Sequence, residues 1–409
     1  MSPDDAVAPI TPPPTPPGLG ELAAVFTRLG SVAFGGPAAH IAMMEDELVE
    51  KRGWLSRQQL LDLIAAANLI PGPNSTEVAI HVGYTQRGWP GLLVAGACFI
   101  GPAALIVFAI AVAYQRWGTL PAGQELLAWV QPVVLVIIFG ALVKLTRTAC
   151  RTWMLGTIAL AAAALELTLA HLQVPSAEII VLAICGLVAC LVGSRPRTNR
   201  ADCHAWPVLL PGLGVLGTGA GVAAAPSGLS IFLVFAKVGA VLFGSGYVLL
   251  AFLEAEFVRQ RGWLTDQQLL DAIAVGQVTP GPVFTTATFV GYLLGGPMGA
   301  VAGTAGIFAP AFLFVGLTAP IVRRLRASPS LGRALDGVVA GSLALMVVVT
   351  LQLAAAAWLQ ISPDTWGIRW RSLLLTLLAW ALIRRGINNA WVILGAAAGG
   401  LASGLLGFV

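Results

Sequence analysis

The sequence contains little charge. Of its 409 residues, 10% are Asp, Glu, Lys or Arg and 57% are hydrophobic. A soluble globular domain carries about 25% charged residues, so this chain lacks the charge that covers a surface in water. Apolar runs of roughly 20 residues, the length that crosses a bilayer as a helix, recur along most of the chain. The sequence therefore predicts an all-α polytopic membrane protein.

Signatures of enzymes and of metal sites are also missing. The five cysteines are scattered, and no CxxC pair or Cys/His cluster has the spacing of metal ligands. The chain has no P-loop, no GxSxG, no HExxH and no nucleotide-binding fingerprint. We therefore expect no enzyme, no metal and no cofactor, and any energy that the protein uses has to come from ion gradients.

Basic residues form no run with interleaved aromatic residues, so nucleic acid is not an expected partner. Lys and Arg exceed Asp and Glu by 23 to 19, and in a membrane protein such an excess is typical of cytoplasmic loops. The N-terminal residues 1–18 are acidic and rich in proline, and they lack the basic region of a signal peptide. We expect a short disordered cytoplasmic tail there.

An internal duplication organises the rest of the chain. Residues 26–73 match residues 235–282 at an offset of 209, with 23 identities in 48 positions, and a one-residue deletion then changes the offset to 208. Both copies contain Phe-Gly, Arg-Gly-Trp-Leu and Pro-Gly-Pro in the same order. The predicted divisions are a tail (1–18), a first repeat (19–200), a linker with an unpaired transmembrane helix (201–228) and a second repeat (229–409).

The apolar runs predict about 13 transmembrane segments, six in each repeat and one between them. They lie near 21–44, 58–83, 90–114, 126–146, 152–171, 176–193, 207–226, 229–252, 267–292, 297–318, 335–358, 370–383 and 389–408. The unpaired run gives the two homologous halves an inverted topology, which is a recurrent plan of secondary transporters.

Loop charges favour a cytoplasmic N-terminus and a periplasmic C-terminus. In this orientation the inside loops carry 15 Lys and Arg and the outside loops carry six, which follows the positive-inside rule. Three of the six outside cations, Lys51, Arg52 and Arg57, share one loop. A re-entrant second segment would change this count.

Two cations lie within apolar runs at equivalent positions, Arg28 and Lys237. A cation inside a span costs roughly 2.5–3.5 kcal/mol on insertion scales, so a pair present in both repeats indicates contact with something negative. We interpret them as ligands of a transported anion. The alternative is that each snorkels to an interface or forms a structural salt bridge.

Pro-Gly-Pro interrupts one apolar run in each repeat. Broken backbone at membrane depth is tolerated where it is buried in protein or lines a wet cavity, and a restarting helix presents unpaired N–H groups and its positive dipole end to an anion. The alternative is a kinked helix or a plain loop. Glycines that interrupt the first helix of each repeat permit unwinding or close helix approach. The predicted substrate-binding residues at these breaks are Gly35, Gly36, Pro71, Gly72, Pro73, Asn74, Ser75, Thr76, Gly244, Pro280, Gly281, Pro282, Thr285 and Thr286.

Carboxylates near the membrane core are the candidates for proton coupling. These candidates are Glu45, Glu77 and Glu254. Glu77 has no partner in the second repeat, so it could make the two half-sites unequal. Carboxylates beside the Arg-Gly-Trp-Leu loops have an alternative role, a salt bridge with Arg52 or Arg261. This alternative applies to Glu45, Glu47, Glu254 and Glu256.

Other motifs are interpreted as scaffold. His40 and His81 lie on apolar faces, where a packed histidine is more common than a proton carrier. After each Gly-Trp-Leu turn, Ser56 or Thr265 can N-cap the next helix, with a Gln three residues later in the capping-box position.

The motif FGGP at Phe34–Pro37, the Gly-Trp-Leu turn, the Pro-Gly-Pro motif and their second copies resemble the chromate ion transporter (CHR) family in its long two-domain form. The ordered, duplicated set covers essentially the whole chain after the tail. The resemblance implies efflux of chromate driven by the proton motive force, chromate resistance, a location in the bacterial inner membrane and antiparallel homologous halves. The second FGGP is degraded to Phe243–Gly246 (FGSG), so we expect the halves to contribute unequally.

Chromate is a tetrahedral dianion that is close to sulfate in shape and charge. A site built from Arg28, Lys237 and two helix N-termini would suit either ion, so a sulfate or other oxyanion carrier remains an alternative. An anion channel is a second alternative. A channel differs from a transporter in that it needs a continuous pore rather than alternating access. The expected partners are the oxyanion, protons and the lipid bilayer, with a homodimer as a candidate oligomeric state.

Overall fold

The computed structural model describes residues 16–33, 37–118, 120–172, 174, 176–192, 226–243, 248–319, 329–362 and 365–406. Outside these ranges lie residues 207–225 of the predicted unpaired helix, residues 1–15 of the predicted tail and three predicted site residues, Gly35, Gly36 and Gly244.

The helices of the two repeats follow each other in the same order. In the first repeat they are α1 (Leu19–Val32), α2 (Pro37–Met44), α3 (Arg57–Ala67), α4 (Asn74–Trp117), α5 (Pro121–Ala149), α6 (Trp153–His171) and α7 (Ala177–Val192). In the second they are α8 (Gly228–Val241), α9 (Leu249–Leu253), α10 (Asp266–Val278), α11 (Thr286–Thr318), α12 (Pro329–Trp358), α13 (Trp370–Arg384) and α14 (Asn389–Leu406). π-Helical segments, Glu45–Lys51 and Glu254–Gln260, continue α2 and α9, and the 3₁₀ turn Val283–Thr285 precedes α11.

One β-hairpin departs from the predicted all-α fold. Strands β1 (Leu359–Ser362) and β2 (Thr365–Ile368) pair antiparallel between α12 and α13. The N–H of Arg369 donates to the carbonyl of Trp358 at 2.8 Å and extends the pairing by one residue at the open end of the hairpin. The rest of the regular structure in the described ranges is helical. This is expected for a membrane protein, because backbone N–H and C=O groups in lipid must form their hydrogen bonds within the protein.

Helix α4 folds back on itself at Arg87–Gly88, where the backbone leaves helical geometry and Gly88 has φ 60°. The segments 74–86 and 89–117 on either side run antiparallel, because Gly83 packs against the backbone of Gly91 across the turn. A Cβ on Gly83 would overlap the carbonyl oxygen of Gly91. This close approach therefore requires glycine.

Helix α11 has the same fold-back at Gly295–Gly296, where Gly296 has φ 60°. The hydroxyls of Thr288 and Thr304 lie 2.7 Å apart across it. The repeats thus share this turn although their sequences differ there, and in both copies a proline follows it at the start of the new helical segment, a position that suits its fixed φ.

The apolar run near 21–44 forms a helical hairpin rather than a single span. Helix α1 pairs antiparallel with the π-helical segment that follows α2: Arg28 lies 3.6 Å from Glu47, and Arg52 lies 2.7 Å from Glu21 at the start of α1. With 14 residues, α1 is about 21 Å long, which is short of the roughly 30 Å bilayer core.

The run near 58–83 forms a second helical hairpin, with the first Pro-Gly-Pro at its tip. The amide of Asn74 donates to Asn68 at 2.8 Å beside the break, and the amide of Gln86 donates to the carbonyl of Trp54 at 3.0 Å at the other end. Helix α3 and the first segment of α4 are therefore antiparallel. The 11 residues of α3 span about 16 Å.

Five helical stretches in the described ranges are long and apolar enough to cross a membrane: Asn74–Trp117, Ala122–Arg147, Trp153–His171, Val283–Thr318 and Gly332–Trp358. Two of them, Asn74–Trp117 and Val283–Thr318, include the fold-backs at Gly88 and Gly296. Large apolar side chains such as Trp153 and Leu405 are exposed, as expected for contact with lipid. The predicted count of about 13 spans is not confirmed, since the runs 21–44 and 58–83 are each divided between short antiparallel helices.

The repeats pack through equivalent helices. The second segment of α4 contacts the second segment of α11, where Gly316 lies against the ring of Trp89 and Gly96 lies against Phe312. The earlier residue of one helix meets the later residue of the other, so these two equivalent segments run antiparallel. Elsewhere α5 packs on α14, and the equivalent α12 packs on α7.

Candidate functional site

The two Pro-Gly-Pro breaks are joined to the opposite repeat by one backbone hydrogen bond each. The N–H of Gly72 donates to the carbonyl of Leu242 at 2.7 Å, and the N–H of Gly281 donates to the carbonyl of Ala33 at 2.9 Å. Ala33 and Leu242 end α1 and α8, and the two bonds are related by the sequence offset of 209. The breaks and the ends of the first helices therefore meet in one central region.

Both central glycines have a backbone conformation that favours glycine, with φ 141° at Gly72 and φ 84° at Gly281. Each also faces the partner repeat closely. A Cβ on Gly72 would lie 3.6 Å from the Cβ of Ala311, and a Cβ on Gly281 would lie 2.6 Å from the Cβ of Ala103. The broken backbone is thus buried in protein, which is the condition under which it is tolerated at membrane depth.

His40 connects the start of α2 to the start of α4. It is buried, with Nε2 3.1 Å from the carbonyl oxygen of Ala33 and Nδ1 3.0 Å from the hydroxyl of Ser75. Because a carbonyl only accepts, Nε2 carries the proton, and in the neutral ring Nδ1 accepts from Ser75. This histidine is therefore packed and hydrogen-bonded, as expected from its apolar face.

The break in the first repeat contains polar atoms that lack partners among the described residues. Glu77 is fully buried and neither carboxylate oxygen has a hydrogen-bond partner. The hydroxyl of Thr76 and Nε2 of His81 are also buried without partners. A buried ionised carboxylate without a partner is very costly, so this group requires a proton, a cation or a ligand.

The break in the second repeat differs. The hydroxyl of Thr285 donates to the carbonyl of Pro282, and that of Thr286 donates to the carbonyl of Val283, both at 2.8 Å. Both predicted donors are thus already used by their own backbone. The amide nitrogen of nearby Gln277 is buried without a partner. The expectation that the two breaks contribute unequally agrees with this contrast.

Arg28 and Lys237, predicted as anion ligands, both have carboxylate partners within their own hairpins. The hairpin of Lys237 is formed by α8, α9 and the π-helical segment Glu254–Gln260. Arg28 lies 3.6 Å from Glu47 and has 64% of its side chain exposed. Lys237 pairs with the equivalent Glu256 and also donates to Ser176 at 2.6 Å. Both cations thus take part in salt bridges, which is the structural alternative that the sequence left open.

The alternative of salt bridges with Arg52 or Arg261 is confirmed for Glu47 and Glu256, whereas Glu45 and Glu254 pair with other arginines. Glu47 pairs with Arg52 at 2.8 Å and Glu256 pairs with Arg261. The capping boxes at Ser56 and Thr265 are confirmed as well. These loops therefore hold the hairpin bases together and orient the helices that lead to each break.

The other two predicted proton carriers also have cationic partners. Glu45 pairs with Arg57 at 2.8 Å, and Glu254 pairs with Arg259 at 2.7 Å. Of the three candidates, Glu77 alone lacks a partner among the described residues.

Sequence reasoning missed two buried carboxylates, Glu166 of α6 and Glu178 of α7. One Nη of Arg259 lies 3.2 Å from Glu166 and 3.5 Å from Glu178. Both residues are in predicted apolar runs, and a carboxylate inside such a run was the available signal. Asp271, whose acidic side chain was expected near the core, is also buried and accepts from Tyr114 at 2.8 Å and from Gln131 at 2.9 Å.

Comparison with known proteins agrees with the duplicated architecture. The family described as chromate transporter matches residues 20–190 and again residues 229–401. The chain belongs to the chromate transporter family. No solved structure is a significant match to it.

The curated relatives cover most of the chain. A probable chromate transport protein of Synechococcus elongatus is 33% identical over 81% of this chain and 84% of its own length. Chromate transport proteins of Cupriavidus metallidurans and Pseudomonas aeruginosa are 31% and 33% identical over 82% and 86% of this chain, and over 82% and 84% of their own lengths. This member of the chromate transporter family is therefore of the long two-domain form.

Proposed function

We propose that the protein exports chromate across the bacterial inner membrane, driven by the proton motive force, and so confers chromate resistance. The substrate class comes from the relatives, which are named as chromate transport proteins. The observation that carries the mechanism is the pair of backbone hydrogen bonds from Gly72 and Gly281 to the opposite repeat. These bonds bring the ends of α1 and α8 and the two Pro-Gly-Pro breaks into one region.

We propose an inverted arrangement with nine spans and four re-entrant hairpins in place of 13 spans. In support, the equivalent second segments of α4 and α11 run antiparallel, and α1 and α3 are too short to cross. Re-entrant hairpins move Lys51, Arg52 and Arg57 inside and Arg259 and Arg261 outside. The 15 inside and six outside cations then become 16 and five, a stronger positive-inside bias.

In this arrangement the hairpin tips enter from opposite faces and meet near the middle of the bilayer. Helices α2 and α4 start there, and the first N–H groups of α4, at Asn74 and Ser75, have no acceptor within the helix. Helix N-termini suit an oxyanion because their N–H groups and dipoles are positive. We propose that the backbone around Pro71–Thr76 and Pro280–Thr286 binds the dianion.

Arg28 and Lys237 then act on the anion from either side of this region. Arg28 is largely exposed, and its one ion pair with a described residue is the 3.6 Å contact with Glu47, so it is available to attract an anion that arrives from the cytoplasm. Lys237 is held by Glu256 and Ser176 on the opposite face. If Arg28→Ala and Lys237→Ala both retain normal chromate transport, the two cations have no part in the site.

Glu77 is the proposed proton carrier. It is fully buried without a partner among the described residues, it follows the first break directly, and the second repeat has a threonine near the equivalent position. A carboxyl group that must be neutral when buried and ionised when wet can couple proton movement to the opening of the site.

Inverted membrane vesicles test this function. We expect chromate to accumulate only with an imposed proton gradient, and a protonophore should abolish accumulation. Flux that merely follows the chromate gradient would indicate a channel. If excess sulfate competes and is itself accumulated, the carrier is a general oxyanion transporter.

The same vesicles separate the role of Glu77 from the transport activity. Glu77→Gln should retain chromate exchange between equilibrated compartments and lose accumulation driven by the proton gradient. Glu21→Gln is the matched control, since Glu21 is exposed at the base of α1 and pairs with Arg52. Accumulation by Glu77→Gln equal to that of the control would exclude Glu77 as the proton carrier.

A further inference from the structure

Three side-chain contacts fasten the base of one hairpin to helices of the other repeat. We name them the outer lock: Lys237 with Ser176, and Arg259 with both Glu166 and Glu178. Their distances are 2.6, 3.2 and 3.5 Å. Lys237 and Arg259 belong to the first hairpin of the second repeat, whereas their partners belong to α6, α7 and the turn before α7 in the first repeat.

The first repeat has different contacts at the equivalent positions. Arg28, the equivalent of Lys237, pairs with Glu47 of its own hairpin. The position equivalent to Arg259 is Glu50, by the offset of 209, and it carries the opposite charge. The other ion pairs that the described residues form at this base also stay within residues 21–57, and they include Arg52 with Glu21 and Arg57 with Glu45.

Burial follows the same contrast. The side chain of Arg28 is 64% exposed and that of Lys237 is 30% exposed. Ala177, the first residue of α7, is 2% exposed beside the lock, whereas Asn389, the first residue of the equivalent α14, is half-buried. Among the described residues, the hairpin base of the second repeat is therefore closed against its neighbours, and that of the first repeat is more exposed.

Inverted repeats give this contrast a meaning for transport. When two halves of one fold take different conformations, exchanging those conformations produces the state that is open on the other side. We infer that the outer lock is the gate that closes the external face in this structure. In the externally open state Lys237 and Arg259 leave α6 and α7, and the first hairpin closes against the start of α14, the equivalent contact surface.

The charges of the lock explain why it can open. Glu166 and Glu178 share one guanidinium, and each has a carboxylate oxygen without a partner among the described residues. The same guanidinium also pairs with Glu254 through Nε. One arginine thus serves three buried acids and satisfies Glu166 and Glu178 incompletely, so the contact is weaker than separate ion pairs. A gate requires such an interface, since two packings must differ by only a few kilocalories per mole for both to be populated.

Cysteine accessibility tests the gate. In a variant that lacks the five native cysteines, Ala177→Cys and Asn389→Cys report on the two hairpin bases through a membrane-impermeant maleimide. The inference rests on the inverted arrangement proposed above, so Ala177→Cys should react from outside in intact cells and Asn389→Cys from inside in inverted vesicles. Reaction of both from one side would overturn the arrangement and the gate together.

Opening the lock should have reciprocal effects. Lys237→Ala with Arg259→Ala should raise the labelling rate at Ala177→Cys on the order of tenfold, the factor that corresponds to about 1.4 kcal/mol, and lower the rate at Asn389→Cys. Higher labelling at position 177 with an unchanged rate at position 389 would mean local loosening, and it would overturn the gate while leaving the inverted arrangement intact.

Two further variants keep the result interpretable. Arg371→Ala is the control, because Arg371 pairs with Glu125 outside both hairpins and shares no partner with the lock; it should change neither rate. If the double alanine variant fails to insert, Glu166→Gln with Glu178→Gln removes the acceptors of Arg259 at nearly constant volume and should give the same reciprocal change. Absence of any change in this second variant would overturn the gate.

Discussion

Replacing Gly281 with alanine perturbs the contact between the repeats most directly. The backbone there has φ 84°, and a conformation of this kind costs an L-residue roughly 1–2 kcal/mol. The new Cβ would also lie 2.6 Å from the Cβ of Ala103 and 2.9 Å from the carbonyl oxygen of Gly30. Overpacking of a tight contact adds about 1–3 kcal/mol, so the total loss of stability should be about 2–5 kcal/mol.

Gly262 provides the matched control. It has a positive φ of 59°, but a Cβ placed on it meets nothing within 4 Å. Gly262→Ala should therefore lose only the backbone cost of about 1–2 kcal/mol. The difference between the two variants isolates the steric contact at the centre from the strain that both share.

The assay compares the two variants by chemical unfolding in detergent and by chromate uptake in inverted vesicles. Gly281→Ala should be less stable than Gly262→Ala and should also transport more slowly, because the Gly281 N–H would be displaced from the carbonyl of Ala33. Equal stability and equal transport in the two variants would refute the close contact between the break and the opposite repeat.

Three further predictions follow from named contacts. Ser56→Ala removes the cap of α3, whose hydroxyl accepts from Gln59, and should cost about 1 kcal/mol of unfolding free energy with little effect on the transport rate. Asp271→Asn leaves Tyr114 or Gln131 without an acceptor and should cost about 1–3 kcal/mol in the same measurement. Glu77→Gln should be as stable as the parent or more so, because it removes a buried carboxylate that has no partner in the described part of the chain.

Each of these has a result that contradicts it. Thr265→Ala should match Ser56→Ala within error, since both residues cap through the same capping box; unequal losses would mean that the caps are not equivalent. Asp62→Asn at the equivalent, less buried position should cost less than Asp271→Asn. A large loss of stability in Glu77→Gln would show that the carboxylate has a partner that the described contacts do not include.

Much of the architecture follows from sequence because it depends on local chemistry. Composition sets the membrane environment, since a chain with 10% charge cannot cover a soluble surface. The duplication predicts matching elements, and they occur in the same order from α1 to α14. The capping boxes and the salt bridges of Arg52 and Arg261 depend on residues within five positions of each other, so sequence spacing alone predicts them.

The sequence could not predict which apolar runs fold back as hairpins. A run of about 20 apolar residues reads the same whether it crosses the membrane or folds back, and the choice depends on distant contacts such as Arg52 with Glu21 and Gln86 with Trp54. The partners of Arg28 and Lys237 could not be predicted from the sequence for the same reason. Periodicity places both cations in a helix, but only packing shows that Glu47 and Glu256 reach them.

By itself, the sequence determined the membrane setting, the two repeats and their broken helices, because these depend on composition and on the backbone limits of proline and glycine. Only the tertiary structure decided what the breaks contact. The bonds from Gly72 to Leu242 and from Gly281 to Ala33 join residues about 170 and 250 positions apart. Bonds over such separations depend on how two whole repeats dock, and no local pattern in either repeat encodes that geometry.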